Sequence, residues 1–71
     1  MIKYSITTKI IIVEETAYMT YGINCSENGK SIARIDDIST KREEIEKTVK
    51  AFNDNRLAPE QFKDAVEDSI V

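Results

Sequence analysis

The sequence predicts an α+β domain in which a three-stranded antiparallel meander carries an antiparallel pair of helices on one face, in the order β-β-β-α-α. Three observations lead there. The segments Ile2–Val13 and Thr16–Cys25, read as strands joined at Glu14-Glu15, set Ile2, Tyr4, Ile6, Ile10 and Ile12 opposite Ala17, Met19, Tyr21, Ile23 and Cys25. Side chains alternate faces along a strand, so a slip of one residue would move that whole apolar set to the wrong side. Second, Asn28-Gly29 lies between two apolar runs, a strong hairpin signal. Third, beyond Asp36-Asp37 the apolar spacing changes from strand to helix periodicity. Strands followed by helices read as helices laid on one face of an antiparallel sheet.

The second turn admits two loop lengths. A two-residue Asn28-Gly29 loop pairs Cys25 with Ile32 and Ile23 with Arg34, which puts an arginine on the apolar face. A three-residue Glu27-Asn28-Gly29 loop pairs Cys25 with Ser31, Ile23 with Ala33 and Tyr21 with Ile35, and is the preferred register. The third strand is then short, Ser31–Asp36, because Asp36-Asp37 disfavours strand and favours turn.

The first helix is expected to start at a capping box of Thr40 and Glu43. Ile45, Val49 and Phe52 form its apolar stripe, and Glu43–Lys47 and Glu46–Lys50 are candidate ion pairs on the wet side. Asn53-Asp54-Asn55 is expected to end it, an Asn taking the left-handed capping conformation. The second helix has Ala58 at its N-cap, Pro59 in its first turn, Gln61 at the capping-box position and a Leu57–Phe62 staple. Phe62, Ala65, Val66 and Ile70 make its buried stripe. The short connection implies antiparallel helices.

A chain of 71 residues has room for one domain, spanning 1–71. A domain of this size buries only about 60% of its unfolded surface and is marginally stable. One cysteine excludes an internal disulfide, and the absence of histidine removes a zinc site and the usual general base. Cys25 falls on the core face, where a thiol acts as a small hydrophobe. No catalytic residue, cofactor or metal site is assigned, and the chain reads as non-enzymatic. A net charge of −3, with the basic residues scattered, disfavours nucleic acid or an anionic membrane as partner. Ile10–Val13 is too short to span a bilayer and the N-terminus lacks a signal pattern, so a cytoplasmic location is expected.

Tyr21-Gly22-Ile23, Ile35-Asp36-Asp37-Ile38-Ser39, Asn53, Leu57, Pro59 and Asp64-Ala65-Val66-Glu67-Asp68 form a pattern that covers nearly the whole chain. It resembles a family of short uncharacterised bacterial proteins of about this length. The resemblance implies a complete protein and carries no activity and no site.

Two surfaces are candidates for function. Asp64, Glu67 and Asp68 cluster near the C-terminal end of the second helix, where the helix dipole disfavours anions. A solvated face accounts for them, as does a basic partner; an acidic mimic that fills the basic groove of a nucleic-acid-handling protein is the alternative reading. Neither these acids nor Asp36-Asp37 matches a cation-binding loop.

The sharper candidate is the tip of the first hairpin. Twelve strand residues span about 40 Å, whereas a helix of fourteen spans about 21 Å, so the helices cannot cover the hairpin. The third strand reaches back only to about Tyr21, which leaves Lys9–Met19 as an overhang with Ile10, Ile12, Ala17 and Met19 on one face and Ile11, Val13 and Tyr18 on the other. Ile11, Val13, Tyr18 and Met19, with Asp64, Glu67 and Asp68 second, are the expected partner-binding residues. The partner is another protein or a second copy of the chain in a homodimer. The competing arrangement is a hairpin bent over the helices, or one broken at Thr8-Lys9.

Overall fold

The computed structural model describes residues 1–70 apart from the Ile70 side chain. The elements are β1 (Ile2–Val13), β2 (Thr16–Glu27), β3 (Lys30–Ser39), α1 (Arg42–Asp54), a 3₁₀ turn (Pro59–Gln61) and α2 (Phe62–Ile70). The strands form one antiparallel sheet in the order β1-β2-β3. β1 and β2 pair without interruption from Ile2↔Glu27 to Val13↔Thr16 across Glu14-Glu15, with Tyr4 opposite Cys25 and Ile6 opposite Ile23. The hairpin is neither bent back nor broken at Thr8-Lys9.

The second turn corrects the expected register. Asn28 and Gly29 both have positive φ, 52° and 85°, so the loop is a two-residue turn of the mirror-image type that matches strand twist. Glu27 pairs with Lys30 and Ser26 with Ser31, but Cys25 pairs with Ala33 and Ile23 with Ile35. Ile32 is the extra residue of a bulge, left exposed, and it restores Ala33 and Ile35 to the core face. Turn chemistry wins at the tip, hydrophobic patterning wins along the strand, and the bulge reconciles them.

β3 also runs further than expected, through Asp36-Asp37 to Ser39, by way of a second bulge between Ile23↔Ile35 and Tyr21↔Ser39. Asp37 takes positive φ there, 54°. Gly22 permits this irregularity: a Cβ on it would collide with the Ile35 carbonyl oxygen and lie 2.8 Å from Asp36 Cα. Through that gap Asp36 accepts a hydrogen bond from the Thr7 hydroxyl of β1 at 3.2 Å and one from Arg34 Nε at 2.7 Å. The Arg34 guanidinium holds the Asp36 carboxyl below its usual range.

The ends of α1 depart from the sequence expectation. The helix starts at Arg42, with Lys41 at the N-cap and no side-chain cap, so the Thr40–Glu43 box is not made. Ser39 substitutes: its hydroxyl accepts from the Lys41 N–H at 3.0 Å and donates to Glu44 at 3.3 Å. At the C-terminus, Arg56 and not an Asn takes the left-handed position, at φ 51°. Leu57 N–H bonds the Phe52 carbonyl at 3.0 Å and Arg56 N–H that of Asn53 at 3.2 Å, a Schellman motif that turns the chain toward α2. The ion pairs on α1 are Arg42–Glu46 and Lys50–Asp54, with a longer Lys41–Glu44 contact, in place of Glu43–Lys47 and Glu46–Lys50. The second helix opens as a 3₁₀ turn after Ala58, without a side-chain cap from Gln61.

Tyr4, Ile23, Cys25, Ile45, Phe52, Phe62 and Val66 form the core, flanked by Ile2, Ile6, Tyr21, Val49, Leu57 and Ala65. Both helices therefore bury their stripes on the face that carries the even residues of β1. The Ile70 part of the α2 stripe lies outside the described residues. Tyr4 is the hub. Its ring meets Phe52 edge-on at 5.4 Å and Phe62 at 5.3 Å between centroids, and its hydroxyl donates to the Leu57 carbonyl at 2.7 Å. β1 is an edge strand, and its outward peptide groups at Tyr4 are taken by one side chain: Tyr4 N–H donates to Asn53 Oδ1 at 2.8 Å and Asn53 Nδ2 donates to the Tyr4 carbonyl at 2.9 Å.

Two outcomes follow. Asn53→Ala leaves both Tyr4 peptide groups without partners and is expected to cost about 1–3 kcal/mol in urea unfolding. Burial pushes the Tyr4 phenol above its ordinary range. A phenol with a higher pKa folded than unfolded contributes stability that is fully present below about pH 10 and lost as pH rises beyond it. Tyr4→Phe is therefore expected to cost about 1–2 kcal/mol at neutral pH, through the orphaned Leu57 carbonyl, and to flatten the alkaline limb of a stability–pH curve.

Candidate functional site

The helices stop covering β1 at about Ile6. Arg42, the first residue of α1, lies over the Tyr21 ring at 5.6 Å and marks the end of the covered body. Thr20 is the last buried residue on the β2 side, its hydroxyl donating to the Lys9 carbonyl at 3.4 Å. The last β2–β3 pairing is Tyr21↔Ser39. From Thr8 to Met19 every residue is exposed except the half-buried Ile11. The longest dimension of the molecule, 41 Å, matches the span calculated for a straight twelve-residue hairpin.

On the helix side the arm presents Ile10, 63% exposed, Ile12, 75%, and Met19, 48%, together with Ala17. On the other face Tyr18, 47% exposed, and Val13, 51%, flank Ile11. Of the arm residues picked out by sequence, Val13, Tyr18 and Met19 are thus exposed, and Ile11, paired with Tyr18 across the arm, is half-buried. Ile10 and Ile12 belong with them and are the more exposed. The sequence places them on the overhang without naming them among the partner-binding residues; they continue the parity of the core set beyond the reach of the helices.

Both edges of the arm lack a protein strand. Tyr4 points its N–H and C=O outward, to Asn53. By the alternation of an antiparallel pair, Ile6, Thr8, Ile10 and Ile12 point theirs the same way, and Ala17 and Met19 point theirs away from β1. The tip is a strained acidic turn: Glu14 and Glu15 both hold positive φ, 51° and 66°, a conformation that costs a non-glycine residue about 1–2 kcal/mol. Glycine or asparagine is the usual solution there.

The acidic set lies elsewhere. Asp64, Glu67 and Asp68 are exposed on α2, and none forms an ion pair among the described residues. No group of three or more Asp, Glu or Cys converges as a metal site among the described residues. Cys25 is buried in the core cluster. No described helix is long and apolar enough to cross a membrane.

No curated protein and no solved structure matches the chain. The match is to a family model described as a family of unknown function, DUF6514, over residues 1–71, and the chain belongs to that family.

Proposed function

We propose that the protein is a non-enzymatic, cytosolic interaction module whose hairpin arm docks on another polypeptide, most simply a second copy of the chain in a two-fold dimer. One observation carries the reading: an ordered two-stranded arm with apolar residues on both faces projects beyond the helices, with Ile10 and Ile12 well exposed. Contiguous exposed apolar surface is a mark of interaction sites. Unpaired strand edges accept another strand through main-chain hydrogen bonds. Asn53 closes the β1 edge at Tyr4, which directs an incoming strand to Ile6–Ile12. Antiparallel addition of the same segment from a second copy is self-complementary, as a two-fold interface requires, and joins the two Ile6-Ile10-Ile12 rows on one face. A small domain with no disulfide gains stability from such an association.

The test is sedimentation across a micromolar concentration series. A dimer is expected, and Ile12→Glu or Tyr18→Glu is expected to weaken it at least tenfold, about 1.4 kcal/mol, with an unchanged circular dichroism spectrum. Hydrogen exchange at the Ile10 and Ile12 amides is expected to slow as concentration rises. A monomer at high micromolar concentration overturns self-association.

A further inference from the structure

A cleft of about 650 Å³ opens at the other end of β1, between Ile2–Tyr4 and the α1–α2 connection. Its apolar lining comes from Ile2, Tyr4, Phe52, Leu57 and Ala58. Its size falls within the roughly 300–1,000 Å³ of small-molecule sites. From its chemistry we infer that it binds a single-headed anionic amphiphile, a hydrocarbon body carrying one carboxylate.

Three observations lead to that class. The uncharged polar side chains in the lining are Asn53 and Tyr4, and both are engaged within the fold: each end of the Asn53 amide makes one bond to the Tyr4 peptide groups, and the Tyr4 hydroxyl donates to the Leu57 carbonyl. Little directional hydrogen bonding is left for a sugar or a nucleobase, so recognition falls to apolar contact. The charged lining side chains are both cations, Lys3 and Arg56, beside the Met1 ammonium, which donates to Asn28 Oδ1 at 2.6 Å; no Asp or Glu lines the cleft in a chain with 13 acidic residues. Neither cation has a carboxylate partner among the described residues. Finally, Arg56 occupies the left-handed position of the α1 cap, where glycine or asparagine is favoured. Arg56 thus lines the cleft from a backbone position that glycine would take without strain.

The cleft is separate from the arm, and the inference does not depend on the dimer. Laurate below its micellar concentration is the probe, followed by amide chemical shifts, with the Ile12→Glu variant as host so that arm association does not contribute. Saturable shifts are expected at Ile2–Tyr4 and Arg56–Ala58. Lys3→Gln with Arg56→Gly is expected to weaken laurate at least tenfold and to leave dodecanol binding within about twofold. Arg56→Gly alone is expected to raise Tm by several degrees, since glycine relieves the backbone, while laurate affinity falls. Opposite movement of stability and affinity separates a binding arginine from one that only caps the helix. Ala58→Glu is expected to repel laurate without loss of fold. The proposal is overturned by the absence of saturable binding, by shifts confined to the arm, by equal affinity for dodecyltrimethylammonium, or by charge-neutral variants that bind laurate as well as the parent.

Discussion

The Asn53 amide clasping the Tyr4 peptide unit joins the two halves of the molecule. An edge strand carries a row of unpaired donors and acceptors, and a helix normally has none to offer because its own ladder uses them. Asn53 supplies both from one side chain, at 2.8 and 2.9 Å, and does so one residue from Phe52. The same turn of α1 thus closes the β1 edge and puts an aromatic ring against Tyr4. Phe62 arrives from α2 at 6.3 Å from Phe52, and the three rings meet at tilted and edge-on angles that suit their quadrupoles. The Tyr4 hydroxyl then holds the Leu57 carbonyl, immediately past the α1 cap. Position, edge and connection all converge on one residue of β1, so the helices can sit only at that end of the sheet.

That placement creates the arm. With the helices anchored at Tyr4, α1 reaches as far as Tyr21, where Arg42 covers the ring. β3 ends opposite the same residue because its second bulge consumes residues that would otherwise extend the pairing. Gly22 permits that bulge, so the helix anchor and a missing Cβ together fix where the body stops. Everything beyond, from Thr8 to Met19, has only the other arm strand for company.

Much of this was legible in the sequence. The β1–β2 register followed from parity together with the turn at Glu14-Glu15, since a slip of one residue would turn Tyr4, Ile6, Ile10 and Ile12 to the other face. The overhang followed from arithmetic on strand and helix length. The second turn was not legible, because Asn28-Gly29 and the apolar pattern demanded loops of opposite parity, and a bulge at Ile32 satisfied both at once. Caps were displaced by tertiary needs: Ser39 replaced Thr40 once β3 ran on past Asp37, and Arg56 took the position that Asn usually fills. The cleft was hidden for a different reason. Its lining joins Ile2–Tyr4 to residues some fifty positions away, and only the fold reveals that Lys3 and Arg56 share it. On the arm, Ile10 and Ile12 were legible as part of the overhang, but strand periodicity does not rank exposure along it, and the expected partner-binding set omits them.

An isolated two-stranded hairpin is marginal in water, and its apolar face needs something to pack against. The inner part of this hairpin has the helices and β3; the outer part has neither, yet holds a paired geometry through a turn made of two glutamates in left-handed conformation. Ordering those residues opposes folding by about 1–2 kcal/mol each, and single ladder hydrogen bonds return about 0.5–1.5 kcal/mol. Burial is the missing contribution, and on the proposed reading a docked polypeptide supplies it, because the helices are anchored at Tyr4. A shorter hairpin would expose less apolar surface in the isolated domain. On that proposal the extra length serves an assembly, in which the rows of Ile10 and Ile12 extend the core begun under the helices.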